Sequence, residues 1–226
     1  MSSSPGSAVV TGCSSGIGAA VAQNLLESGW RVRGLSRRAP ADPRVDWARA
    51  DLAEPASAVA AVADLDRVDA VVHCAGFQRT APLGSLDAGD LRAMFDVHVA
   101  AAAALLDGLA ARLSDGGRVV LLGSRTMVGV AGKSQYAATK AALTGLARSW
   151  AAELAPRRIT VNVVAPGPTA TAMTQDPGRA SVPVRVPPLG ALVDPDDVAE
   201  LVGFLLGRAG RSITGQAYVI CGGASL

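Results

Sequence analysis

The strongest constraint on this chain is an alternation. Short apolar runs recur, and a helical pattern follows almost every one. "SAVVTG", "RVRGLS", "VDAVVHCAG", "GGRVVLLGS", "RITVNVVAPG" and "QAYVI" read as strands, and a short third strand is expected before "ADLAE". Between them, "GIGAAVAQNLLESG", "PASAVAAVADL", "SQYAATKAALTGLARSWAAELA" and "DPDDVAELVGFLLG" read as helices. "LRAMFDVHVAAAAALLDGLAARL" reads as one long helix or two abutting ones. Strand centres that are apolar on both faces need cover on both faces, which argues for a parallel sheet between two helix layers.

The punctuation agrees. Gly29 ends the first helix, Pro55 opens the second, Pro156 stops the long one, and Asp194-Pro195 starts the last. Seven strands and about six helices predict an α/β, doubly wound (Rossmann-type) seven-stranded parallel sheet. The chain has 226 residues, half of them apolar, which is enough for one core. No internal repeat, low-complexity tract or linker divides it, so residues 1–226 are expected to form a single domain. A proline-rich stretch at about 172–192 breaks the pattern and should be a loop. A loop of that length in a compact domain is more often functional than idle.

Charge excludes some functions. The chain carries 21 basic and 19 acidic side chains, for a net charge of +2, which makes no electrostatic case for nucleic acid. No apolar run approaches the ~20 residues that span a bilayer. The "MSSSPGSAVVTG" start lacks a signal pattern and reads as a loose lead-in to a strand. Cys13, Cys74 and Cys221 are scattered and odd in number, without a CxxC pair. They suggest a cytoplasmic setting and no metal site.

"TGCSSGIG", Thr11 to Gly18, falls between the first strand and the first helix. Glycines at 12, 16 and 18 permit a sharp turn and close approach of a pyrophosphate, while the helix start offers free N–H groups and a positive dipole end. Gly12, Ser14, Ser15, Gly16, Ile17 and Gly18 are the candidate cradle. The spacing is TGxxxGxG rather than GxGxxG, and the alternative is a turn that binds nothing. The second strand ends in "LSRR", with no acid to bond a ribose 2′-OH. Arg37 there favours the 2′-phosphate of NADP(H) over NAD(H), unless it is only a solvated surface charge.

"GKSQYAATKAAL" sets Tyr136 and Lys140 four residues apart, on one face of a helix, in a chain only 4% aromatic. A phenol titrates near pH ~10, and bringing it to about 7 takes roughly 4 kcal/mol. A cation about 4 Å away supplies that order of energy at an effective dielectric near 20. An ordinary half-buried tyrosine is the competing reading.

Taken in order, these motifs resemble the short-chain dehydrogenase/reductase family, in its small single-domain branch, over essentially the whole chain. "TGCSSGIG" resembles the phosphate loop, "ADL" at 50–52 the adenine contact, and "HCAG" at 73–76 the usual NNAG. "YAATK" at 136–140 resembles the YxxxK motif, with Ser124 a dozen residues before it. "VNVVAPGPTAT" resembles the strand and turn that hold nicotinamide, and "ITGQAYVICGG" the C-terminal strand segment. The resemblance implies catalysis by Ser124, Tyr136 and Lys140. Tyr136 would exchange the proton, Ser124 would bond the substrate oxygen, and Lys140 would bind the nicotinamide ribose. It implies cofactor contacts from Asp51 and Leu52, from Cys74, Ala75 and Gly76, and from Pro166, Gly167, Thr169 and Thr171, besides Tyr136 and Lys140. It also implies a small carbonyl or alcohol substrate and a homotetramer or homodimer built on the two long helices. An NAD(H)-dependent alcohol dehydrogenase and a catalytically silent dinucleotide-binding regulator are the alternatives.

Three positions depart from the family pattern. His98 stands where an asparagine usually serves a proton relay. It either takes over that relay or is a partnered interior histidine. His73 and Cys74 replace the asparagines of NNAG. In the loop, Arg179 and Arg185 are either solvated or meet an acidic or polar group of the substrate.

Overall fold

The computed structural model describes residues 6–226. The lead-in at 1–5 lies outside them. Seven strands form one parallel sheet: β1 (Ser7–Thr11), β2 (Arg31–Ser36), β3 (Asp46–Arg49), β4 (Val68–His73), β5 (Leu113–Leu122), β6 (Thr160–Pro166) and β7 (Ala217–Ile220). Their order is β3-β2-β1-β4-β5-β6-β7. The chain therefore reverses direction across the sheet between β1 and β4, and a crevice opens there at the strands' C-terminal ends.

Each strand feeds both layers, because successive side chains point to opposite faces. Val9, Val71, Leu121 and Val163 join a core with Leu105, Leu109, Leu143 and Ala147. Their neighbours Ala8, Val10, Val72 and Val164 join a second core with Val21, Leu25, Val198 and Leu205. The first core is roofed by α2 (Pro55–Ala60), α4 (Ala101–Leu109) and α5 (Ser134–Leu154), the second by α1 (Gly16–Glu27) and α6 (Pro195–Leu206). Full burial of one such leucine contributes about 1.5–3 kcal/mol.

Helix ends follow local chemistry. Asp194 caps α6 by accepting the Asp196 N–H at 3.0 Å, and Asp87 caps α3 (Ala88–Phe95) by accepting the Asp90 N–H at 2.8 Å. Two elements differ from the periodicity. The second helix gives way to tight turns after Ala60, and distant arginines satisfy the carbonyls there: Arg33 bonds Ala61 O at 2.8 Å, and Arg112 bonds Val62 O at 2.7 Å and Leu65 O at 2.8 Å. Between α3 and α4 the chain makes a π-helical turn, Asp96–Ala100, centred on His98. The expected long helix therefore runs unbroken from Ala88 to Leu109, with that π turn set into its middle.

Candidate active site

A cleft of about 610 Å³ runs along the C-terminal ends of the strands. Every residue expected from the sequence to be catalytic or to touch a cofactor lines it.

The glycine loop forms one end. Gly12 and Gly16 adopt left-handed backbone, with φ of +69° and +54°. A Cβ on Gly18 would sit 2.3 Å from the Gly12 carbonyl oxygen, so the start of α1 can close onto the loop only without a side chain. The α1 N-cap, Ser15, makes no side-chain bond to the helix, so the hydroxyl satisfies none of its first N–H groups. Ser14 and Ile17 complete this end. Arg37 is exposed beside it, and Ser36 is anchored, its hydroxyl donating to Arg38 O at 2.6 Å. Asp51 is exposed and Leu52 buried just past β3. Cys74, Ala75 and Gly76 follow β4. A Cβ on Gly76 would lie 2.9 Å from His98 Nε2 and 3.3 Å from Lys140 Nζ. The floor at this point is therefore bare main chain.

The other end holds the proton-handling residues. Ser124, at the end of β5, is fixed by Thr126, whose N–H donates to its oxygen at 3.2 Å and whose hydroxyl lies at 2.9 Å. Tyr136 and Lys140 are both buried on α5, with the ammonium 6.0 Å from the phenol ring centroid. Lys140 Nζ donates to Leu122 O at 2.7 Å, and burial lowers its pKa to about 8. At 6.0 Å from the ring centroid, Lys140 is not the group that opposes burial at the phenol. Burial pushes the Tyr136 phenol above its usual value, and the opposing pull comes from the Ser124 hydroxyl and the Arg179 charge. Pro166 ends β6, and Gly167, Thr169 and Thr171 follow it. A Cβ on Gly167 would meet the Cys221 backbone at 2.7 Å, so this turn packs against the end of β7 only without a side chain.

Both histidines are fully buried and fully bonded. His98 Nε2 accepts the Phe77 N–H at 3.1 Å, so its proton sits on Nδ1 and is donated to Thr139 Oγ1 at 2.9 Å. Thr139 in turn donates to Tyr136 O at 2.9 Å. His98 has no free nitrogen and, with burial as the main cause, a pKa well below the ordinary value. His98 is thus a partnered interior histidine. His73 donates from Nε2 to Val97 O in the π turn at 3.0 Å and accepts from Thr11 Oγ1 at 3.0 Å. Burial lowers it to about 3.

Sequence reasoning missed Lys133, Arg125 and Gln78, which also line the cleft. Lys133 immediately precedes α5, and this position, one turn before Tyr136, was the available signal. Of the two loop arginines, Arg179 is buried on the cleft wall and Arg185 is exposed.

A doubly wound sheet with a glycine cradle at its switch point and a Ser–Tyr–Lys set at the far end of one cleft defines a dinucleotide-binding oxidoreductase scaffold. Comparison with known proteins agrees. The family profile described as Enoyl-(Acyl carrier protein) reductase matches residues 12–225. The chain is 33% identical to an uncharacterized oxidoreductase of Methylorubrum extorquens and 32% identical to 3-oxoacyl-[acyl-carrier-protein] reductase FabG of Salmonella typhimurium. Each match covers 96% of both chains. Among solved structures it resembles a blue fluorescent protein from a metagenomic library in complex with NADPH, with 31% identity, a TM-score of 0.86 and 98% of both chains covered. A short-chain dehydrogenase of Burkholderia cenocepacia in complex with NADP matches at 34% identity and TM-score 0.81, with 97% of both chains covered. The chain belongs to the short-chain dehydrogenase/reductase family.

Proposed function

We propose that this chain reduces a ketone or aldehyde with NADPH, or runs the reverse alcohol oxidation, with Tyr136 as the acid–base group. The observation that carries this is the cleft itself. Ser124, Tyr136 and Lys140 share one end of it, and the side-chain-free glycine cradle forms the other. The cradle suits a dinucleotide: Gly18 tolerates no Cβ, and the Ser15 hydroxyl leaves the start of α1 uncapped.

A bound nicotinamide dinucleotide supplies or takes the hydride. The chain's own residues do the rest. Gly12 to Gly18 hold the pyrophosphate against the α1 dipole, and Arg37 holds a 2′-phosphate. Asp51 and Leu52 meet the adenine, while Cys74, Ala75 and Gly76 line the adenosine side. Pro166, Gly167, Thr169 and Thr171 frame the nicotinamide end. Lys140 has one N–H committed to Leu122 and two left for ribose hydroxyls. Ser124 orients the substrate oxygen. Tyr136 gives its proton to the carbonyl oxygen in reduction, with the Ser124 hydroxyl and the Arg179 charge opposing the burial that raises its pKa. The two NADP-bound structural relatives support the same cofactor preference. We also infer self-association through α4 and α5, where Leu146, Trp150 and Leu154 flank a shallow groove. Size-exclusion chromatography with light scattering reads it, and a monomer rejects it.

The deciding experiment is a panel of ketones, aldehydes and alcohols with each nicotinamide cofactor, followed by nicotinamide absorbance. Turnover with NADPH well above NADH is expected. A strong NADH preference rejects the role of Arg37, and no turnover with any member favours a silent binding protein.

A further inference from the structure

Hydride and proton transfer leave one wall of the cleft without a task. Arg179 lies on that wall and is 8% exposed. Its Nε–H is buried without an acceptor, and Nη1 reaches only the Met173 carbonyl, at 3.5 Å. Asp176, the one carboxylate whose charge it feels, is committed elsewhere. That carboxylate accepts the Gly178 N–H at 2.7 Å and pairs with Arg79 at 3.2 Å. Lys133, also 8% exposed, feels the like charges of Arg179 and of Arg125, whose buried Nε likewise lacks an acceptor. Of the two acids lining the cleft, the other is Asp51, exposed past β3.

Desolvated cations are costly unless an anion faces them. The loop that carries Arg179 is also anchored in place. Thr80 N–H donates to Gly178 O at 3.1 Å, the Thr80 and Ser181 hydroxyls meet at 2.6 Å, and Gly178 backs onto the Arg79 guanidinium. Arg179 is thus fixed within electrostatic reach of Tyr136.

We propose that Arg179, with Lys133 beside it, receives a carboxylate on the substrate, so that the substrates are oxo acids or their hydroxy acids rather than neutral ketones. This deepens the reductase reading and rests on it. A planar guanidinium edge pairs with a carboxylate through two parallel hydrogen bonds. Among the described residues no acid takes that edge, which leaves it for a partner from outside.

The test compares 2-oxobutanoate, 3-oxobutanoate and 4-oxopentanoate with their methyl esters under NADPH. The best acid should exceed its ester in kcat/KM by about tenfold or more. Arg179→Gln removes a charge that also acts on Tyr136 and so lowers both rates, but it should cut the acid-to-ester ratio of kcat/KM by about tenfold or more, with Arg179→Lys restoring part of that ratio. Retained ester turnover shows that the variant is folded. An ester as good as every acid in the wild type, or equal losses on acid and ester in the variant, overturns the proposal. So does acetonylphosphonate outrunning all three acids, which would assign the wall to a phosphorus oxyanion. Failure of every carbonyl to turn over refutes the reductase reading instead. The receptor is then read by thermal shift of the NADP⁺-loaded protein. Stabilisation by the acids alone that Arg179→Gln removes supports it, and its absence overturns it.

Discussion

Acid should unfold this protein in a window set by its two histidines. Both are buried and held neutral, His73 at about 3 and His98 well below the ordinary value. In the unfolded chain each titrates near pH ~6.5. Below that, the unfolded state binds protons that the native state refuses. Stability is therefore complete above the unfolded pKa and is lost as pH falls, at about 1.4 kcal/mol per pH unit per histidine. From about pH 7.5 to about pH 5 each histidine should remove about 2 kcal/mol, and the pair about 4 kcal/mol, a large part of the ~5–15 kcal/mol of a typical domain. Other groups facing them contribute little slope there. Lys140, the charge nearest both histidines, has a pKa of about 8 and stays mostly protonated below neutrality, as does Lys133. Asp42, Asp64, Asp69 and Asp176 have lowered pKa values, so their losses begin at lower pH. Urea unfolding at both pH values, at fixed ionic strength and protein concentration, measures the difference. His98→Asn removes one titrating group and should halve it. A wild-type change below about 1 kcal/mol, or an unaltered slope in His98→Asn, would refute the account of both histidines as permanently neutral.

Other outcomes follow from the cleft. Tyr136→Phe should lower kcat by about 10²–10⁴-fold while NADPH still binds, as fluorescence titration would show. Gly18→Ala forces a methyl into a place 2.3 Å from the Gly12 oxygen. It should cost about 1–3 kcal/mol, read as a lower Tm and weaker NADPH binding. Arg37→Ala should raise the KM for NADPH about tenfold and leave that for NADH nearly unchanged, in initial-rate assays with each cofactor.

What the residues announced in advance was whatever they encode locally. The glycine loop, the two-faced strands and the Asp-Pro helix start all act through their own backbone chemistry, and each lies where its sequence implied. Features set by distant partners were hidden. The carbonyls past the end of α2 are satisfied by Arg33 and Arg112, some 28 and 50 residues away in sequence. The π turn lies within a stretch whose alanines read as regular helix, and its Val97 carbonyl is held by His73 from another strand. The carboxylate nearest Arg179 in sequence, Asp176, is taken by Arg79 from 97 residues away. The expected acidification of Tyr136 treated the pair as two charges at a set spacing. Burial, which no spacing reveals, acts on the phenol more strongly.

The stretch of peptide at Gly76, pressed between His98 and Lys140, carries a lesson about how such an enzyme can change. A surface made of backbone has no side chain to exchange, and any substitution can only add atoms where none fit. That spot in the groove is therefore closed to gradual modification. Novelty in what the protein acts on has to enter through the opposite rim, where Lys133 and the 172–192 segment present side chains that point mutations can swap one at a time.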